Sequence, residues 1–239
     1  MTELLYQTDS YLQTFNALIT AVDASQHAIM LDRTAFYPGG GGQPNDLGKL
    51  TAPGATFSVV KVQKAADGVL HILAGDAPLP AEGTSVLGQL DWARRFPLMR
   101  THTMLHILCG VIFRDYGALV TGGNMEPLKG RMDFEFETLH KDFVQQVQQA
   151  VNKEVEAARK VNVRILPREE AFQIPDLIRT KINLLPEGMT RVRVVEIEGL
   201  DLQADGGTHV RNTSEVGPIR VTDYKSKGRI NKRLYVELD

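Results

Sequence analysis

His102 and His106 stand four residues apart inside an apolar run, and His209 follows a Gly-Gly pair about a hundred residues downstream. Neutral imidazole is a common zinc ligand, and a His pair at i, i+4 puts both rings on one face of a helix, so further ligands must arrive from another element. A lone buried histidine is ordinarily a hydrogen-bonded core residue. Two on one face each need a partner, which makes a metal site and a packed core equally good readings of this helix alone. The segment Gln203-Ala204-Asp205-Gly206-Gly207-Thr208-His209 adds a carboxylate and a third imidazole. Two glycines permit positive φ and close backbone approach, so Asp205 and His209 can face one point without a helix. The alternative is an ordinary turn with a surface Asp and His.

A second chemical candidate is Phe36-Tyr37-Pro38-Gly39-Gly40-Gly41-Gly42-Gln43-Pro44-Asn45-Asp46. Backbone N–H groups in a glycine run can cradle an anion, yet this run has neither the Gly-Lys-Ser/Thr ending of a P-loop nor a dinucleotide fingerprint. ATP and NAD are therefore not expected as partners. What remains is either a flexible loop or a rigid one, anchored by Tyr37-Pro38, that brings backbone close to a small ligand.

The elements that must position these groups fall into two regimes. From Tyr11 to Trp92, short β-like runs such as Asn16 to Val22, Ala28 to Leu31 and Thr56 to Val62 are broken by Gly, Pro and Asp, which predicts a small barrel or sandwich. Beyond it, Pro97 is placed to open a helix running from Leu98 to Tyr116, with Gly110 its one breaker and Gly117 its stop. A second helix is predicted from Leu139 to Lys160, where Phe143, Val147, Ala150, Val151, Val155 and Ala158 recur at helical spacing with glutamines opposite. Strands are predicted at Arg131 to Phe136, Val161 to Leu166 and Arg191 to Ile197, and a closing hairpin at Ile219 to Asp223 and Arg229 to Glu237. The fold class is α+β: a β-barrel-like module over residues 1–92 carrying the Gly-rich loop, then residues 93–239 with long helices packed on a largely antiparallel sheet.

Net charge is −2 over 239 residues, which argues against a protein that coats nucleic acid. Its distribution is uneven: residues 1–91 carry 9 acidic and 4 basic side chains, residues 92–239 carry 20 and 23. Arg220, Lys225, Lys227, Arg229, Lys232 and Arg233 crowd one stretch opposed by Asp223 alone, as a phosphate-contacting patch or a solvated hairpin would. One cysteine, Cys109, excludes an internal disulfide framework; one turn past His106, it suits a small buried hydrophobe. No apolar run approaches the roughly 20 residues of a bilayer span and no signal-like segment opens the chain, so a cytoplasmic protein without a membrane partner is expected.

Taken together, His102-x-x-x-His106, Asp205-Gly-Gly-Thr-His209, Val210-x-Asn-Thr213-x-Glu-Val-Gly217, Arg131-x-Asp133-Phe134 and the Tyr37-Pro-Gly-rich loop resemble the AlaX family, freestanding relatives of the editing domain of alanyl-tRNA synthetase. The likeness covers nearly the whole chain, and the N-terminal module makes it similar to the medium-length members. The resemblance implies a zinc-dependent deacylase, one Zn2+ per chain, acting in trans on the acceptor end of tRNA(Ala) carrying serine or glycine. A synthetase pocket shaped for alanine cannot exclude glycine and rejects an added hydroxyl poorly, so a second, hydrolytic site does the sorting.

The ligands the resemblance implies are His102, His106, His209 and the residue at 205. In most of the family that residue is cysteine; here it is Asp205, also an anionic zinc ligand. If it points away, three histidines remain with one position open. The ion can polarise the ester, lower the pKa of water toward about 7, or orient the substrate, and the sequence does not choose. Gln203 and Thr208 are candidates to position substrate. Thr101, Thr103 and the loop residues Gly39, Gly40, Gly41, Gly42 and Gln43 are candidates to read the amino acid, the two threonines being equally explicable as helix-surface residues. Arg94, Arg95, Arg211, Lys225, Lys227 and Arg229 are candidates to touch tRNA. His27, His71 and His140 match no motif and are expected at the surface or in packing. The competing functions are a deacylase for another mischarged tRNA, such as Ser-tRNA(Thr), and a catalytically inactive zinc-containing tRNA-binding module.

Overall fold

The computed structural model describes residues 2–136, 141–182, 185–186 and 188–239. It divides into two compact units, Met1–Phe96 and Pro97–Asp239. In the first, β1 (Glu3–Leu4) pairs with β4 (Arg33–Thr34), and six strands close an antiparallel barrel: β2 (Thr14–Asp23), β3 (Ala28–Leu31), β5 (Gly48–Ala52), β6 (Ala55–Ala65), β7 (Gly68–Leu73) and β8 (Ser85–Leu90), in the order β2-β3-β7-β6-β5-β8. The period of two explains the closure, because alternate residues of β2 and β8 (Phe15, Ala17, Ile19; Val86, Leu90) turn inward onto Ile29, Leu31, Leu50, Phe57 and Val62.

Helix α1 (Trp92–Tyr116) begins six residues before the Leu98 start that Pro97 predicts. Asp91 starts it: its carboxylate accepts from Arg94 N at 3.2 Å and its carbonyl from Arg95 N at 2.9 Å. Pro97 then sits inside the helix, forfeiting one backbone bond. Every residue from Thr101 to Ile112 is buried, so this part of the helix is enclosed on all sides and forms the core of the second unit. By length and hydropathy alone it would pass for a membrane span, contrary to the expectation from the sequence; 78% of its most apolar window is buried in the protein, as a core helix requires.

A four-stranded antiparallel sheet in the order β14-β15-β10-β9 is built from β9 (Val120–Glu126), β10 (Lys129–Glu135), β14 (Ile219–Ser226) and β15 (Asn231–Leu238). Helix α2 (Lys141–Glu156) lies on its edge strand, burying Phe143, Val144, Val147, Val151 and Val155. Its polar side chains also serve the sheet: Gln148 accepts from Val221 N, and Asn152 bonds both N and O of Ile219, each at 2.8 Å. The helix ends before the predicted Lys160 because Ala158 turns left-handed, φ 49°. Its predicted first residue, Leu139, and His140 lie outside the described residues. A separate three-stranded sheet, β11-β12-β13, comprises β11 (Val161–Pro167), β12 (Arg191–Ile197) and β13 (Asp201–Ala204), with the short α3 (Arg168–Ala171) after β11.

Candidate metal centre

His102 and His106 project from one face of α1, and the turn after β13 brings Asp205 and His209 to them. One donor atom from each lies within 4.8 Å of every other. The ring centroids are 5.0 Å apart for His102 and His106, 4.6 Å for His106 and His209, and 4.3 Å for His102 and His209. Asp205 places Oδ2 3.0 Å from His209 Nε2 and Oδ1 3.6 Å from His102 Nε2. The turn does not rely on a left-handed Gly206, where a methyl group would meet nothing; Asp205 Oδ2 instead accepts from Gly207 N at 2.8 Å.

The donor set fits a zinc ion. Four zinc ligands at about 2.0–2.2 Å from the metal stand roughly 3.3 Å from one another, so only a small contraction is needed. The outward nitrogens of two histidines are engaged by the protein: His106 Nδ1 meets Asp201 Oδ2 at 3.0 Å, and His209 Nδ1 meets Thr103 Oγ1 at 3.2 Å. That leaves Nε2 of each for the centre, an arrangement typical of ligating histidines. Burial holds His102 down to about 4 and His209 well below the usual imidazole range. At His106 burial is the largest single influence and pulls the same way, but the Asp201 hydrogen bond and the charges of Asp201 and Asp205 together outweigh it and raise it. Asp205 lies well below the usual carboxylate range; burial opposes this, and the surrounding His102 and His209 outweigh it.

Thr101 and Thr103 are fully buried, so neither is a helix-surface residue. Thr101 Oγ1 donates to Pro97 O and accepts from Leu128 N, both at 2.8 Å; Thr103 Oγ1 also accepts from Val210 N at 3.2 Å. Thr208 is buried, and its backbone bonds with His102. Gln203 directs its amide nitrogen to Asp201 Oδ2 (2.7 Å) and Cys109 Sγ (3.3 Å), with Cys109 buried. Two residues absent from the sequence reading complete the surroundings. Arg193 Nη1 donates to Asp205 O at 2.9 Å, and Asp201 takes His106, Gln203 and, at 3.5 Å, Arg179 Nε. Residues 201, 203 and 205 alternate along β13 and just beyond it, the phase that could have revealed Asp201.

In the first unit, Gly39, Gly40, Gly41 and Gly42 all have positive φ (83°, 130°, 58° and 88°). Gly40 and Gln43 exchange backbone bonds of 3.1 and 3.0 Å around Gly41-Gly42, a two-residue turn of the kind that needs positive φ twice. Tyr37 anchors it, its hydroxyl donating to Gly40 O at 2.9 Å and its N–H to Asp46 Oδ2 at 2.6 Å. Arg95, a candidate tRNA contact by sequence, is fully buried against Asp46 instead.

The C-terminal basic stretch is less open than its sequence suggests. Lys232 is buried, its ammonium donating to Ser226 Oγ, Gly228 O and Arg229 O. Arg233 forks onto Asp133 at 2.6 and 2.7 Å, and Arg220 faces Glu237 and Asp239. Strand pairing supplies these acids, so Asp223 is not the sole opposing charge; it pairs with Lys225 at 3.6 Å. Arg211, Lys225, Lys227 and Arg229 are exposed.

Two family models match the chain: tRNA synthetases class II (A) over residues 7–94, and the threonyl and alanyl tRNA synthetase second additional domain over residues 192–235. The chain is 38% identical over 237 residues to the alanyl-tRNA editing protein AlaX-M of Saccharolobus solfataricus, covering 98% of each chain. It is 38% identical over 244 residues to AlaX-M of Methanosarcina acetivorans, covering 100% of this chain and 99% of that one. The chain belongs to the AlaX family. The alanine–tRNA ligase of Ignicoccus hospitalis is also similar, 35% identical over 226 residues, 92% of this AlaX chain but 24% of the ligase.

Proposed function

We propose that this chain edits mischarged tRNA(Ala) in trans, hydrolysing the ester of serine, and also of glycine, at a zinc centre held by His102, His106, His209 and Asp205. The observation that carries the reading is the convergence of three imidazoles and one carboxylate within 4.8 Å, in a chain matched end to end by alanyl-tRNA editing proteins. Zinc bound there supplies Lewis-acid activation of the hydrolysis. The protein's part is preorganisation: Asp201 and Thr103 orient two of the rings, Arg193 steadies the Asp205 backbone, and the buried site limits competing water. A sieve that hydrogen-bonds the serine hydroxyl leaves buried polar groups unpaired when alanine or glycine is offered, and such sites discriminate by about 10⁴ or more, so serine is the chief substrate and glycine a minor one. The acceptor end enters the metal pocket while the acceptor stem meets the exposed Arg211, Lys225, Lys227 and Arg229, contacts that weaken with salt.

A second reading concerns Asp205 alone. Its Oδ2 already accepts from Gly207 N and faces Arg193 Nη1 at 3.5 Å, which favours three histidines holding the ion with one position open. The test joins metal analysis to deacylation of Ser-tRNA(Ala), Gly-tRNA(Ala), Ala-tRNA(Ala) and Ser-tRNA(Thr). His106→Ala is expected to lose zinc and turnover together, and Asp205→Asn to keep the ion only if the second reading holds. Full turnover after removal of the metal overturns the mechanism.

A further inference from the structure

Gly110 is the residue that interrupts an otherwise strong helix-forming run, and it follows His102 and His106 by whole steps of four on the same face of α1. A Cβ there would stand 2.9 Å from Leu200 Cγ, 3.0 Å from Asp201 Cβ and 3.1 Å from Leu200 O. Glycine costs a helix interior about 1 kcal/mol relative to alanine. Here it lets the start of β13 lie directly on the helix, one turn from His106.

Asp201 occupies that approach with a fully buried side chain. Its Oδ2 accepts from His106 Nδ1 at 3.0 Å and from Gln203 Nε2 at 2.7 Å, while Oδ1 faces Arg179 Nε at 3.5 Å. Arg179 is held in turn over the Phe113 ring, 3.7 Å from its centroid. A carboxylate is acceptor-only, so both neighbours must present N–H to it. This fixes two orientations at once: His106 carries its proton on Nδ1 and turns Nε2 inward, and Gln203 turns its amide nitrogen away from the role of substrate donor.

We propose that Asp201, seated by Gly110, is a positioning residue of the AlaX centre: it sets the His106 tautomer for metal binding and locks the Gln203 amide. The proposal rests on the metal-centre reading above but not on which amino acid is edited. Asp201→Asn keeps the shape and breaks the logic. An amide that offers oxygen to His106 points its NH2 at Arg179, and the flipped amide forces the proton of His106 onto Nε2.

Zinc affinity is measured by chelator competition on wild type, Asp201→Asn and Asp201→Glu, with thermal unfolding of the metal-free proteins as the control for folding. The expected result is a ten- to hundredfold weaker zinc affinity for Asp201→Asn and partial recovery for Asp201→Glu. Nitrogen-15 correlation spectra of zinc-loaded wild type, which need no variant to fold, are expected to give His106 as Nδ1–H with Nε2 on the metal. Affinity of a folded Asp201→Asn within twofold of wild type, or His106 attached through Nδ1, overturns the proposal. A wild type that binds zinc through Nε2 yet leaves Ser-tRNA(Ala) intact supports it and removes only the editing reading, whereas one that binds no zinc removes both the metal centre and the proposal.

Discussion

Arg95 and Asp46 form a buried ion pair in which Arg95 Nε lies 2.9 and 3.0 Å from the two carboxylate oxygens and Nη2 meets Oδ2 as well. The remaining donors of Arg95 reach Ser10 O at 3.0 Å and Ala35 O at 2.5 Å, and the same Asp46 carboxylate receives Tyr37 N at the root of the glycine turn. One pair therefore ties the N-terminal turn of α1 to both flanks of the Gly-rich loop. Arg95→Met is expected to destabilise the chain by about 3–5 kcal/mol, because it strands a buried carboxylate. The double variant Arg95→Met/Asp46→Leu is expected to cost less than Arg95→Met alone, since no uncompensated charge remains. Urea denaturation of the variants gives both numbers.

His71 makes the first unit sensitive to acid. Burial in the barrel holds its imidazole at about 4, with Nε2 2.8 Å from Thr34 Oγ1 and Nδ1 3.3 Å from Ile29 O. The unfolded chain, with an imidazole near 6.5, takes up this proton first. The contribution is therefore fully present above pH 6.5 and is lost as pH falls from 6.5 to 4, by on the order of 3 kcal/mol. His71→Gln is expected to flatten that part of the stability-against-pH curve. An equally steep loss in the variant would assign the acid sensitivity elsewhere.

What was legible in the sequence followed from periodicity and turn chemistry. The i, i+4 histidines, a Gly-rich loop anchored at Tyr37-Pro38, the barrel strands β2, β3 and β6, and β12 all follow from rules that need only neighbours along the chain. The start of α1 did not, because Asp91 caps the helix more effectively than Pro97 opens it. The basic stretch misled because charge pairing across a sheet belongs to partners distant in sequence: Asp133 meets Arg233 through strand register. Asp201 was missed for a related reason. A single acid four residues before Asp205 reads as a strand end until Gly110, ninety-one residues earlier, is seen to admit it.

Lys227 and Lys232 look alike in sequence and are expected to behave in opposite ways. Lys227 is exposed, so Lys227→Ala should weaken tRNA binding across sequences and reduce the slope of log affinity against log salt by about 0.7–0.9, leaving thermal stability unchanged. Lys232 is buried and donates to three oxygens of its own hairpin, so Lys232→Met should lower the melting temperature and leave the salt slope alone. Salt-dependent binding curves beside thermal melts separate the two. A reduced slope for Lys232→Met would place its ammonium on the RNA.

Gly110→Ala sets two local rules against each other. Helix propensity favours alanine by about 1 kcal/mol, whereas forcing a methyl group into a filled site costs typically about 1–3 kcal/mol. Leu200 Cγ can swing away, but Leu200 O at 3.1 Å is backbone and belongs to the turn that leads into β13. The clash should therefore win, with net destabilisation of about 1–2 kcal/mol and a displaced Asp201 that lowers zinc affinity by a smaller factor than Asp201→Asn does. Gly123→Ala serves as the comparison, because its nearest neighbour would be Arg131 O at an ordinary 3.7 Å. If Gly110→Ala proves more stable than wild type with unchanged metal affinity, the helix and β13 are not in the close contact on which the seating of Asp201 depends.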